Sequence, residues 1–165
     1  ISSAPTMAFR RPFDYYRDRS FFLLPSLMDL DSLLYAYPVD SLELRLVRQE
    51  AGWLVWAGRE ALLDSAAISL LWTGINDFPP PGFADDFDEF SAASLPQRQL
   101  TVWRRGGGIP QSLTCYFRKN HPMPFVWTSS EHAHEFFASD SSGVFRVVMS
   151  RLDSLAEAIR LPGQE

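Results

Sequence analysis

Residues Leu100 to Ala138 read LTVWRRGGGIPQSLTCYFRKNHPMPFVWTSSEHAHEFFA, and this stretch decides the fold. Three apolar runs, LTVWRR, SLTCYFRK and PFVWTS, each alternate as strands do, because successive strand side chains point to opposite faces of a sheet. In the middle run Leu113, Cys115 and Phe117 share one face, and Thr114, Tyr116 and Arg118 share the other. The glycines of Gly106 to Pro110 supply the backbone freedom for a reversal, so the first two runs form an antiparallel pair. Asn120-His121-Pro122-Met123-Pro124 forms a stiff turn, because proline lacks the amide a ladder needs. Thr128 followed by Glu131 has the form of a capping box, and Ala133, Phe136 and Phe137 fall on one helical stripe. The spacing therefore predicts a short helix over 129–138, laid against the sheet.

Upstream, Leu27, Leu30, Leu33 and Leu34 recur at intervals of three and four between Pro25 and Pro38, which predicts an amphipathic helix from Ser26 or Asp29 to Tyr37. Leu42, Leu44 and Leu46 alternate with Glu43, Arg45 and Val47. A turn at Gln49 to Gly52 then returns the chain through Trp53-Leu54-Val55-Trp56, so this is a hairpin with Trp53 and Trp56 on opposite faces. A helix is expected from Arg59 to Thr73, stopped by Gly74. Downstream, Gly143 to Met149 reads as a further strand. Ser150 and Asp153 start a last helix over Arg151 to Leu161, with Leu152, Leu155, Ala156 and Ile159 buried.

These elements make an α+β chain: a mainly antiparallel sheet, the hairpin plus three to four further strands, with helices packed on one face. Residues 1–7 are expected to be a flexible N-terminus, and 8–165 a single domain, since 165 residues suit one core. Arg10-Arg11 lacks the apolar run of an export signal after it. No stretch has the ~18 consecutive apolar residues of a membrane span, so a cytoplasmic location follows by default. Cys115 is the lone cysteine, which excludes an internal disulfide framework. A net charge of −5 argues against sequence-independent nucleic-acid binding, which draws on Lys and Arg to displace counterions.

No catalytic constellation, metal site or cofactor motif assembles in the sequence. On a helix His132 and His134 would diverge by about 200°, too far apart to share a metal. Cys115 with His121, His132 or His134 is the only route to a small hydrolase or transferase. Gly106-Gly107-Gly108 lacks the spacing of a phosphate loop. Two surface features remain. Residues 76–97 form a long acidic loop, in which Phe83, Phe87 and Phe90 are spaced to share a helical face backed by Asp85, Asp86, Asp88 and Glu89. Arg98, Arg104, Arg105, Arg118 and Lys119 surround the glycine tip as a basic patch. An aromatic face with an acidic back suits a protein partner, so the expectation is a non-enzymatic adaptor of bacterial type, resembling chaperone, immunity or accessory proteins in its role. The alternatives are a small hydrolase or transferase built on that Cys/His set and a structural subunit of a larger assembly, with a homodimer allowed for.

Overall fold

A computed structural model describes residues 25–75, 82–139 and 148–160. Within them nine strands form one antiparallel sheet, in the order β4-β3-β2-β1-β6-β7-β8-β9-β5. The strands are β1 (Leu30–Tyr37), β2 (Leu42–Gln49), β3 (Gly52–Trp56), β4 (Glu60–Leu63), β5 (Gly82–Phe83), β6 (Gln97–Arg104), β7 (Gln111–Phe117), β8 (Phe125–Ser129) and β9 (His132–Ser139). The helices are α1 (Ser65–Ile75), the single turn α2 (Glu89–Ala92) and α3 (Ser150–Arg160). The α+β class with a mainly antiparallel sheet is as the sequence reading has it, and the sheet is larger than that reading expects.

Three expected helical segments are strands in whole or part. The leucines before Pro38 belong to β1, a central strand between β2 and β6, because a register shift between Leu30 and Ser32 sets Leu30 and Leu33 on one face at a spacing that mimics a helix. The would-be cap residues make a turn instead: Ser26 Oγ donates to Asp29 Oδ2 at 2.7 Å, and Asp29 N donates to Ser26 O at 3.0 Å. The start of the expected 59–73 helix is β4, paired with β3; α1 begins only after Asp64, whose Oδ1 accepts from Ala67 N at 2.7 Å. The expected helix over 129–138 is β9, paired with β8 through Trp127↔Phe137 and Val126↔Ala138. Thr128 Oγ1 there donates to His132 O at 3.1 Å across the turn and caps no helix. Of the strand expected at Gly143 to Met149, residues 143–147 lie outside the described residues, while Val148 and Met149 are buried in the helical turn that leads into α3. The expected flexible segment 1–7 also lies outside them.

One face of the sheet carries the main core. Leu33, Leu46, Val55, Val102 and Leu113 lie on that face and are buried against α1, through Ile68 and Trp72, and against α3, through Leu152, Ala156 and Ile159. Polar bonds from segments flanking the strands hold both helices in place. Trp72 Nε1 donates to Pro25 O at 3.0 Å, and Arg59 Nε donates to Ile159 O, which satisfies a carbonyl at the α3 C-terminus. The Tyr35 hydroxyl donates to Asp153 Oδ1 on α3. Arg98 Nη2 lies 3.4 Å from Asp153 Oδ2, and its guanidinium stacks 3.7 Å above the Tyr37 ring. Burial, and then the bond to Asp153, push the Tyr35 phenol far above its ordinary range, so it stays a donor.

The opposite face is divided. Under β7 to β9 it is covered by residues 84–95, with Ala84, Phe87 and Ala92 buried on Val126 and Ala138. The turning helix α2 thus lies across the sheet from α1 and α3, so the helices are not all on one face.

The β2–β3 turn depends on one glycine. Gly52 has φ +152°, and a Cβ there would lie 2.6 Å from the backbone oxygen of Leu63. That oxygen belongs to the neighbouring strand and cannot swing aside, so Gly52→Ala is expected to cost about 1–2 kcal/mol, read as a lower midpoint in urea. An unchanged midpoint would show that β4 moves freely from β3.

Candidate functional site

The acidic aromatic segment is not one helical face. Residues 76–81 of it lie outside the described residues, and Phe83, Phe87 and Phe90 each belong to a different local structure, from which a buried or exposed fate follows. Phe83 lies in β5 opposite Phe137, with ring centroids 5.2 Å apart. Ala84 N continues that pairing by donating to Phe136 O at 2.8 Å. Phe87 follows a turn and is buried edge-on to Phe136 at 5.0 Å, with Tyr116 at 5.8 Å and the Arg118 guanidinium 5.5 Å from its ring. Asp88 then starts α2: its side chain accepts from Ser91 N at 2.8 Å, which interrupts any longer helix. Phe90 is carried on α2 to the outside and is 89% exposed.

The four acids also separate. Asp86 Oδ2 accepts from Arg118 Nη1 at 2.9 Å and lies 3.2 Å from His121 Nε2. His121 Nδ1 lies 3.1 Å from Met123 N and 3.0 Å from Met123 O, which holds the ring with Nε2 toward Asp86. Slight burial works against the Asp86 charge, but the Arg118 bond and charge outweigh it and hold the carboxyl below its usual range. Asp88 is lowered by its bonds to Ser91. Asp85 and Glu89 are exposed. The effect is a loop fastened to the sheet by Phe87 and Asp86, with Phe90 held out above it. A groove of about 720 Å³ runs beside it, lined by Phe87, Phe90, Leu95, Arg118 and Lys119 among others.

The expected basic patch does not form. The β6–β7 pairing sets Arg98 opposite Cys115 and Val102 opposite Gln111, so only Arg104 and Arg105 reach the glycine tip. Arg104 Nη2 donates there to Gln111 Oε1 at 2.9 Å, and Arg105 N donates to Asp29 O at 2.7 Å. Arg98 lies at the other end of the hairpin on the helix-side face, bound to Asp153, and Arg118 and Lys119 follow β7 toward the acidic loop. A hairpin necessarily separates the residues at its tip from those at its open end, which linear proximity to the glycines conceals.

The residues weighed for chemistry are not assembled either. Cys115 is 3% exposed in the helix-side core, and burial pushes its thiol far above the usual range, so it stays protonated. His121 is engaged with Asp86 and Met123 at the loop, and His132 Nδ1 lies 3.4 Å from Glu135 Oε2. The side chain of His134 lies outside the described residues. Among the described residues no group of three His, Cys, Asp or Glu could hold a metal ion, and no helix is long and apolar enough to cross a membrane. Comparison of the chain with known protein families, with characterised proteins and with solved structures finds no match.

Proposed function

We propose that this protein is a non-enzymatic adaptor of bacterial type that works in the cytoplasm and docks another protein in the groove beside Phe90. The observation that carries this reading is Phe90 itself. A lone exposed aromatic is ordinary on a protein surface. Phe90 differs because its backbone is fixed on both sides: Phe87 and Asp86 fasten the preceding residues to the sheet, Asp88 caps the turn that carries it, and Ala92 after it is buried and donates to Asp88 O at 3.0 Å. A rigid aromatic anchor loses little conformational freedom on binding, which is the property of interface hot spots. Asp85 and Glu89 add negative charge around it, suiting a partner with basic residues at its rim.

The test replaces position 90 with a photo-reactive phenylalanine and compares it with the same replacement at Ile109, which is 92% exposed on the glycine tip. Irradiation in extract of the source organism is expected to give a discrete cross-linked species from position 90 and none from position 109. Phe90→Ala is then expected to weaken binding of that species at least tenfold, about 1.4 kcal/mol, with an unchanged melting temperature. Equal capture at both positions, or tight binding by Phe90→Ala, overturns the reading.

A further inference from the structure

Among the described residues no element covers the second sheet face under β2, β3 and β4, and this half-face has an order of its own. Facing outward there are Glu43, Arg45 and Val47 on β2, Leu54 and Trp56 on β3, and Glu60 and Leu62 on β4. Trp56 is 39%, Val47 40% and Leu62 65% exposed, while α1 and α3 pack on the other face. Glu43 lies beyond the end of β4, and the strand register arranges the other six residues in two rows. One row runs Glu60, Trp56, Arg45; the other runs Leu62, Leu54, Val47. A shallow hollow of about 360 Å³ is lined by Glu43 and by these residues other than Leu62.

We propose that a second copy of this chain covers this half-face, the two sheets stacking about a two-fold axis that runs along β3. Such an axis exchanges β2 with β4 and leaves β3 on itself, as an isologous interface requires. Trp56 then meets Trp56 of the second copy, and Leu54 meets Leu54. Leu62 meets Val47, apolar on apolar. Glu60 meets Arg45, acid on base, and does so twice. Every one of the six positions finds a complementary one, which neither a random surface nor an axis along β2 would provide: an axis along β2 would stack Arg45 on Arg45. The Arg45 guanidinium lies 6.0 Å from the Trp56 ring, and its Nε donates to Glu43 Oε1 at 2.6 Å, which holds it beside the row it would pair across. Sheets that stack in this way sit about 10 Å apart and within about 30° of aligned, a rotation small enough to keep the rows facing.

The experiment reads oligomeric state by light scattering on the full chain at about 100 µM, with two charge reversals that the symmetry makes informative. The parent is expected at twice 18.8 kDa, or 37.6 kDa. Glu60→Arg alone and Arg45→Glu alone each place like charges in both contacts and should raise the dissociation constant at least tenfold. An equimolar mixture of the two single variants should recover the dimer, because each of its contacts then pairs an arginine with a glutamate. The double variant should dimerise by itself for the same reason. Recovery on mixing also shows that both variants are folded. A monomeric parent overturns the proposal, as does a dimer indifferent to either reversal, or single variants that stay monomeric when mixed while keeping the parent's circular dichroism. These outcomes do not bear on the Phe90 groove, which lies on another part of the sheet.

Discussion

Trp53→Ala is expected to lower stability by about 3–5 kcal/mol, the largest effect of any single substitution considered for this chain. Trp53 is 1% exposed on the helix-side face of β3 and shares a core with Val55, Ile68 and Trp72. Its loss removes a large apolar surface from a site closed on every side, and backbone pairing with Leu63 and Arg48 keeps the strands from collapsing into the void. The Arg48 guanidinium, 4.5 Å from the indole ring, loses its platform as well. Chemical unfolding at constant slope measures the change. A loss below about 1 kcal/mol would mean that the β3 core is loosely packed and able to close over the gap.

The second large effect is expected from Asp153→Ala, at about 2–4 kcal/mol, because one carboxylate serves two partly buried partners. It accepts from the Tyr35 hydroxyl and faces the Arg98 guanidinium, so its removal takes the acceptor from a buried phenol and the counter-charge from a partly buried cation at once. Tyr35→Phe removes only the donor and leaves the ion pair, and about 1 kcal/mol is expected for it. Thermal melts of the two variants at one pH separate the roles. Equal losses would assign the stability to the hydroxyl and leave the Asp153 to Arg98 contact with no net contribution.

How far the fold is legible in the sequence depends on whether one face of a strand is wet. The β2–β3 hairpin reads directly, because Glu43 and Arg45 face outward and keep the alternation clean. In β9 both faces are covered: Phe137 packs on the helix-side core and its neighbour Phe136 packs against Phe87. Adjacent residues that enter two different cores erase the period of two and leave a cluster that reads as a helical stripe. In β1 the shifted register at Leu30 does the same by moving one side chain across the sheet. The candidate docking segment fails to read for a related reason. Phe83, Phe87 and Phe90 keep helical spacing in the sequence, but Asp88 starts a new turn between the last two and turns Phe90 outward. The paired rows on β2 to β4 were half visible, since Trp56 had to oppose Trp53. Their symmetry needs the register of three strands at once.

The place of β1 has a consequence for synthesis of the chain. One of its edges is occupied by β2, which follows directly, but the other waits for β6, which begins at Gln97. At about 5–20 residues per second the ribosome takes several seconds to deliver that partner. Throughout that interval the strand that will become the middle of the sheet is a border, with a row of unused amides and carbonyls beside the buried-to-be Leu33 and Tyr35. The nascent first half is therefore most exposed to pairing with another copy, or to capture by a holdase, between the emergence of Tyr37 and that of Arg104.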